Sequence, residues 1–495
     1  MNAQRSDTLR EQVIGHVAQF SLANLIGGVG IFLSNYFAAL LLGPAVWGIW
    51  QGASLILQYG ANLHLGVLNG MHRELPILRG RKDIERQALS TNVAFTFSFI
   101  VGCIVSLLVL GASFLPDLDS SVRICLRVIP ATLFLTYITA FYGSLFRAQN
   151  EFGLVSRLAI INGAANLLGV GLVFLLGLPG FLLGQVFGLL VVAVYSWRRN
   201  PYPVSWRWDA TTLKSLIVVG FPIMLLIFSN VIFHTGDRLL ILRFVSTEKL
   251  GLYSLGTIAF APLLMILTAG TSVMYPRFTE RYGETGDPGS LKKYIVIPME
   301  NLALLVPILI GGLYMALPLL VRVFLPEYVQ GIDAARILLV GLFFYAVTGM
   351  PGNMLVTVNR QLLRLGILLG TAFANLGLGY GALRLGYGIV GVAVASSIGY
   401  LIYFSVSCVA AMRYARASAR EIALLLGKVL TPMLGIAVVV IILSRALHLS
   451  ADGGDGLLLR TIFGELIFGA LFCYPAYRTA RRLVQWGLTG RRSGG

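Results

Sequence analysis

The amino-acid sequence predicts an all-α polytopic membrane protein of about 14 transmembrane helices. Of the 495 residues, 57% are hydrophobic and only 12% charged, against the roughly 25% charge of soluble domains, and the mean hydropathy is +0.81. Apolar runs repeatedly reach the ~20 residues that cross a hydrocarbon core as a helix. No stretch shows the ~10-residue alternation of an outer-membrane barrel strand.

The first apolar segment, Val13 to Leu42, follows MNAQRSDTLR. It exceeds the ~7–15 residues of a signal-peptide core and has no small-x-small cleavage site, so it reads as the first span. Windows between charged or Gly/Pro-rich breaks place the spans at about 13–40, 46–70, 88–114, 122–146, 153–176, 180–197, 214–243, 250–275, 294–320, 333–357, 362–384, 388–412, 423–447 and 457–477. The longest connections are about 199–212 and 276–293. The four cysteines, Cys103, Cys125, Cys408 and Cys473, lie inside apolar segments without a CxxC pair and read as packing residues. No metal or organic cofactor is implied.

Arginine and lysine crowd into alternate loops, for example Arg73, Arg79, Arg81, Lys82 and Arg86, then Arg198, Arg199, Arg207 and Lys214. The opposite loops hold acidic stretches such as PDLDS (116–120) and ADGGDG (451–456). By the positive-inside rule both termini are cytoplasmic, as an even number of spans requires. The net charge of +17 is then a topology signal and an attraction to anionic membrane lipids. Its dispersal over many loops argues against nucleic-acid binding. All six tryptophans (Trp47, Trp50, Trp197, Trp206, Trp208, Trp486) fall near span ends, as an interfacial belt would place them. Walker-type, HExxH and GxSxG motifs are missing, which argues against ATP-driven transport and hydrolysis.

Two pairs of segments repeat at nearly one spacing. LLGPAVWGIWQ (41–51) lies against FVSTEKLGLYS (244–254), and QNEFGL with GAANLLG (149–154, 163–169) against VNRQLL with TAFANLG (358–363, 371–377). The second alignment pairs Asn150 with Asn359 and Asn166 with Asn375. A duplicated six-helix unit accounts for both, giving an N-lobe over 1–208, a C-lobe over 209–416, and spans 13 and 14 with a cytoplasmic tail over 417–495. Six spans per unit make the repeats parallel, around a central cavity. The spacings Gly184-x-x-x-Gly188 and Gly366-x-x-x-Gly370 suit close helix contacts.

Segment 220–281 opens with GFP, carries TGDR, continues with LGLYS and closes with PRF. In this order the motifs resemble those of bacterial polysaccharide-unit (O-antigen and exopolysaccharide) flippases of the multidrug/oligosaccharidyl-lipid/polysaccharide exporter superfamily. LLGPAVWGIW and RAQNEFG resemble first-half features of the same family, and the resemblance extends from about residue 10 to about residue 415. It implies a two-lobed transporter of the bacterial inner membrane, not an enzyme. Such a protein moves an undecaprenyl-diphosphate-linked glycan between leaflets by alternating access, coupled to H+ or Na+. It would work as a monomer or beside other polysaccharide assembly proteins.

Span seven carries the most pointed signal. Asn230, His234 and Arg238 follow one another at i, i+4 and Asp237 lies three after His234, a polar stripe within an apolar run. A charge inside a span costs on the order of 2.5–3.5 kcal/mol on insertion scales and needs protein or water beside it. Arg238 with His234 and Asn230 lines a cationic cavity, its guanidinium fork suited to phosphate oxygens, or Asp237 and Arg238 pair with neighbours to lock the lobe, or the charges snorkel to the interface; Asp237 is also a candidate for ion coupling or gating. The repeat sets Ser34 and Asn35 opposite the two charges, so such a site is asymmetric.

Arg123 and Arg127 begin span four, as a cavity rim or as snorkelling cations. His16, with Gln12 and Gln19, lies on one side of span one, as a headgroup contact or a packing residue. Glu300 is a proton-exchanging carboxylate or a partner of Lys292 or Lys293. Arg147 forms a gate or pairs with Glu151 and Arg157. Arg322 and Arg336, with Glu327 and Asp333, read as a solvated ion-pair cluster. Two other functions stay open: a cation-coupled multidrug exporter of the same superfamily, and a membrane glycosyltransferase or polymerase, against which the missing large external loop counts.

Overall fold

The computed structural model describes the backbone of residues 2–449 and 456–489, and the side chains of residues 21–264, 278–449 and 456–482. The chain forms two compact units, Met1–Thr235 and Gly236–Gly495. Among the described residues all regular structure is helical. Such a fold satisfies every backbone N–H and C=O within one segment, as hydrocarbon demands.

The first unit contains α1 (Asn2–Gly60), α2 (Val67–Gly80), α3 (Ile84–Ala112), α4 (Ser120–Ala148), α5 (Phe152–Gly169), α6 (Gly171–Leu176), α7 (Leu178–Arg199) and most of α8 (Ala210–Phe244). The second holds the rest of α8, then α9 (Thr247–Thr285), α10 (Lys292–Phe324), α11 (Ile332–Val347), α12 (Gly349–Thr357), α13 (Gln361–Arg384), α14 (Gly388–Tyr414), α15 (Ala419–Ala446) and α16 (Leu457–Thr489). Twelve stretches of described helix are long and apolar enough to cross a membrane. One of them, Ser21–Gly60, is two predicted spans joined at Gly43, which leaves helical geometry at φ 67°, ψ 170° ahead of Pro44. The predicted eighth span lies within α9. Leu108, Leu168, Leu175 and Phe373 are 68%, 75%, 78% and 71% exposed, as expected where lipid replaces water at the surface of a multi-pass membrane protein.

Several predicted boundaries move. The second span ends at Gly60, not near 70, because Leu65 (φ 51°) and Gly66 (φ 82°) turn the chain into the separate helix α2. The connection predicted over 276–293 is helical up to Thr285, because a helix can leave hydrocarbon and continue in water until Gly286 (φ 61°) closes it. The connection before α8 is pinned to α3: Asn92 Oδ1 accepts from the Ser205 N–H (2.9 Å) and Thr96 Oγ1 from the Arg207 N–H (3.1 Å). Trp47 and Trp50 are not part of an interfacial belt. They are 1% and 8% exposed and meet Phe181 edge-on at 5.8 and 5.1 Å. Trp197, Trp206 and Trp208 are exposed, and Trp486 lies outside the described side chains.

Small residues set the closest helix contacts in the first unit. A Cβ on Gly163 of α5 would lie 2.4 Å from the Gly27 carbonyl oxygen of α1, and one on Gly184 of α7 2.9 Å from Gly169 Cα of α5. Gly366 and Gly370, by contrast, face open space and mark no contact. The GFP motif gains a reason here: a Cβ on Gly220 would lie 1.9 Å from the Gly66 carbonyl oxygen.

The repeated segments recur as structure within each unit. Asn150 (φ 63°) and Asn359 (φ 59°) both take the left-handed conformation that ends a helix. Asn166 and Asn375 are both buried, with Gly188 against the first and Gly399 against the second. Where Gly43 breaks α1, the paired residue Ser246 caps α9, its Oγ accepting from the Lys249 N–H at 3.1 Å.

In the second unit α15 is fastened to α10. A capping box of Ser418 and Glu421 starts α15. Glu421 also pairs with Lys292, while Lys428 Nζ donates to Glu300 Oε1 at 2.9 Å. These pairs are exposed and contribute little individually, about 0–1 kcal/mol.

Two predictions follow from the Gly66 turn. Gly220→Ala should destabilise the fold by about 1–3 kcal/mol through forced separation of backbones, read as a lower unfolding midpoint in detergent. His64, 8% exposed, accepts from the Gly66 N–H through Nδ1 at 3.1 Å, and burial pushes its imidazole down to about 4. An unfolded histidine titrates near 6.5, so the unfolded state binds more protons between the two values. The contribution of His64 is complete above about pH 6.5 and lost as pH falls to about 4. The unfolding-midpoint advantage of wild type over His64→Asn should therefore shrink across that window; an advantage that grows on acidification would contradict it.

Candidate functional site

The division between the two units falls inside the polar stripe of α8, after Thr235. On the first unit's side Asn230 and His234 are half-buried. Thr235 is 2% exposed; its Oγ1 donates to the Val231 carbonyl at 2.7 Å and lies 2.6 Å from the Tyr59 hydroxyl.

On the second unit's side the two charges separate. Adjacent helical residues point about 100° apart at 3.6 residues per turn. Asp237 turns inward and is 6% exposed, whereas Arg238 is half-buried. Asp237 Oδ2 accepts from the Tyr253 hydroxyl of α9 at 2.5 Å and from Ser396 Oγ of α14 at 3.3 Å. Its Oδ1 accepts from the Arg238 backbone N–H at 2.8 Å. Tyr253 and Ser396 are themselves 0% and 1% exposed. One turn beyond Ser396, buried Tyr400 meets Tyr345 of α11 with ring centroids 5.7 Å apart and planes tilted at 51°.

An isolated buried carboxylate is very costly, so the three donors and the nearby cation are what make Asp237 tenable. The cluster offers only oxygen atoms around the Asp237 carboxyl group, a set suited to a proton or a hard monovalent or divalent cation. Among the described residues of the first unit the matching positions hold no such cluster. There the repeat sets Ser34 opposite Asp237, its Oγ donating to the Asn166 carbonyl at 3.0 Å, and sets buried Trp50 opposite Tyr253.

The remaining predicted residues are dispersed. Arg123 is half-buried in the first turn of α4 and Arg127 is exposed one turn on, as snorkelling cations would be. Arg147 is exposed in the last turn of α4; Glu151 accepts from the Tyr202 hydroxyl at 3.2 Å, and among the described residues no ion pair joins it to Arg147 or Arg157. Glu300 pairs with Lys428 of α15, not with Lys292 or Lys293. His16, with Gln12 and Gln19, lies outside the described side chains. Arg336 does not take the solvated position expected of it beside Arg322, Glu327 and Asp333: it is 8% exposed and donates to the carbonyls of Tyr314 (3.1 Å) and Leu449 (3.0 Å).

Tyr253, Ser396 and Tyr400 were not picked out from the sequence. Tyr253 stands in the LGLYS motif, so its position was marked while its role was not; a hydroxyl in an apolar helix gives no sign of its partner. Nothing local distinguishes Ser396 from Ser397, whose Oγ donates to the Ile337 carbonyl.

Comparisons with known proteins accord with this architecture. A sequence profile described as "Polysaccharide biosynthesis protein" matches residues 77–330, just over half of the chain. A putative O-antigen transporter of Shigella flexneri is 21% identical over 376 residues, covering 73% of this chain and 88% of the relative. The fold is similar to that of a multidrug resistance MATE family transporter of the MOP superfamily solved in an inward-facing conformation (TM-score 0.64, 17% identity, 82% of this chain and 95% of the other). A Pyrococcus furiosus MOP superfamily transporter, described as having a binding pocket of reverse polarity, is also similar (TM-score 0.57, 17% identity, 81% and 96% covered). A MATE-like membrane transporter fold and a profile match over half the sequence together establish that this chain belongs to the polysaccharide biosynthesis protein family.

Proposed function

We propose that the protein is a flippase that carries an undecaprenyl-diphosphate-linked oligosaccharide across the bacterial inner membrane by alternating access, for O-antigen or exopolysaccharide assembly. It works as a transporter without catalytic residues, with both termini in the cytoplasm. The observation that carries this reading is the separation of charge in α8: the acid, Asp237, is withdrawn and bonded, while the base beside it, Arg238, stays half-exposed on the face it shares with His234 and Asn230. What the helix presents is cationic, suited to the diphosphate of a lipid-linked glycan, whose oxygens a guanidinium can meet two at a time. A cationic drug would want the reverse. The family match and the likeness to a putative O-antigen transporter support the same cargo.

Asp237 is assigned the coupling role. A buried carboxylate held by two hydroxyls can take up H+ or Na+, and doing so would loosen the bonds that tie α8 to α9 and α14. Cation binding and helix rearrangement are then one event.

In cells lacking the gene, Arg238→Ala should fail to restore surface polysaccharide and should leave the undecaprenyl-linked unit on the cytoplasmic leaflet, with Arg238→Lys restoring part of the activity. Full rescue by Arg238→Ala would remove Arg238 from the cargo site, while dye retention in place of glycan accumulation in cells lacking the gene would move the assignment to drug export. Tyr253→Phe should lower stability by about 1.5–3 kcal/mol, the range for a hydrogen bond to a charged group. That loss should be much smaller in an Asp237→Asn background, as a double-mutant cycle of unfolding midpoints would show. In proteoliposomes Asp237→Asn should abolish the dependence of flipping on a pH or Na+ gradient; an unaltered gradient dependence would remove Asp237 from the coupling step.

A further inference from the structure

The second unit contains a cleft that the transport reading does not use. At one end of the bundle, where α11 begins and α15 finishes, a polar cavity of about 560 Å³ is lined by Tyr314, Arg336, Ser444, Arg445, His448 and Leu449. It continues into an apolar slot of about 360 Å³ between α10, α11, α14 and α15, the two sharing Tyr314, Arg336 and Ile441. The slot opens sideways between α14 and α15, where Val394, Ile398 and Ile441 are 41%, 40% and 45% exposed on the surface that meets hydrocarbon.

The polar end is a built site. Arg336 is 8% exposed, and its Nε and one terminal nitrogen donate to the carbonyls of Tyr314 and Leu449 while the guanidinium stacks 4.5 Å over the Tyr314 ring. These bonds use two of its five N–H groups. Among the described residues it forms no ion pair, the nearest acid in sequence being exposed Asp333. The buried hydroxyl of Ser444, which lines the same cavity, has no hydrogen-bond partner. Arg445 and His448 add exposed cationic or donor groups at the rim, His448 Nδ1 lying 2.9 Å from the Arg445 carbonyl. A buried guanidinium with no carboxylate in ion-pair contact among the described residues, a hydroxyl without a partner and a second arginine converge on an anion with several oxygens. The adjoining slot supplies the other half of the recognition, an unbranched apolar chain.

We propose that this cleft binds an anionic phospholipid of the surrounding bilayer, with its phosphate held by Arg336, Arg445 and Ser444 and one acyl chain lying in the slot. The slot's size selects this occupant over a polyprenyl chain. With about 30 Å³ for a group the size of a water molecule, the space takes on the order of a dozen methylenes, enough for most of an acyl chain and far short of a long isoprenoid. Lateral entry between α14 and α15 needs no passage through the transport route, so the site serves whatever the protein carries. The lipid joins α15, which the exposed pairs Lys292–Glu421 and Lys428–Glu300 hold to α10 at its far end, to α11 and α14 at its near end.

The test is native mass spectrometry of the full-length protein in detergent titrated separately with phosphatidylglycerol, phosphatidylcholine and a polyprenyl diphosphate. One phosphatidylglycerol should be retained in preference to phosphatidylcholine. Arg445→Ala, which removes a phosphate contact, and Ala437→Phe, which fills the slot, should each weaken that retention about tenfold, or about 1.4 kcal/mol. Arg336 is left in place because its carbonyl bonds also hold the fold, and unchanged unfolding midpoints in lipid-free detergent confirm that each variant is folded. Equal retention of the two phospholipids, or retention unaltered in both variants, overturns the proposal. Displacement of the phosphatidylglycerol by one equivalent of polyprenyl diphosphate also overturns it, by giving the cleft to a prenyl lipid.

Discussion

Hydrocarbon offers no hydrogen bonds, and each polar group within a span must therefore be satisfied by the protein itself. The backbone meets that demand by staying helical. The side chains meet it by reaching across helices: Asp237 draws together α8, α9 and α14, and Arg336 joins α11 to the carbonyls of Tyr314 in α10 and Leu449 beyond α15. In the first unit, Ser34 of α1 donates to the Asn166 carbonyl of α5. Between surfaces as apolar as the lipid around them, oily side chains give little reason to choose one neighbour over another. Polar groups that bond across helices therefore specify which helices meet.

Glycine supplies the complementary device. Where Gly27 and Gly30 of α1 cross Gly163 of α5, an added methyl group would overlap backbone atoms, so dispersion and close approach do the work that expulsion of water does in a soluble core. Gly220 uses the same device with a further condition. The Gly66 backbone it meets is left-handed (φ 82°) and is held by the His64 imidazole, so one contact couples the turn after α1 to the start of α8. The absence of any neighbour at Gly366 and Gly370 shows the limit of reading small-residue spacing alone: a glycine row permits close approach, and only a facing helix turns permission into contact.

Much of the architecture was legible in the sequence because span length and composition answer to the thickness of a bilayer, a quantity that needs no knowledge of the fold. The duplication was legible for a similar reason. Asn150 and Asn359 recur because a left-handed helix end favours asparagine, and Asn166 and Asn375 because each is buried with a glycine beside it. Less legible were the places where a charged residue marks something other than the water boundary. Arg277, Glu280 and Arg281 suggested a loop and stand in a helix that continues beyond the apolar run. Arg336 suggested solvent and is buried against two carbonyls. Trp47 and Trp50 suggested an interface and pack on Phe181. In each case residue type gave the polarity correctly, while the partner, distant in sequence, decided the location. Asp237 shows both sides: its placement among apolar residues announced a special role, yet nothing near it in sequence named Tyr253 or Ser396.

The separation of Asp237 from Arg238 rests on helical geometry alone, and its consequence depends on the duplicated partner positions. Adjacent residues on a helix cannot face the same way, so an acid–base dipeptide in a span can bury one charge and offer the other. Which charge is buried depends on the helix packed behind. Tyr253 supplies a hydroxyl at 2.5 Å and Ser396 a second one, and both donate to the carboxylate. The acid is therefore drawn in and the base left toward the outside of the helix. In the first unit the position matching Tyr253 is Trp50, whose ring packs on Phe181; an indole there fills the volume with an apolar face, and the residue opposite Asp237 is accordingly the uncharged Ser34. A single aromatic exchange between the repeats thus accompanies the replacement of a buried carboxyl group by a serine at the matching position.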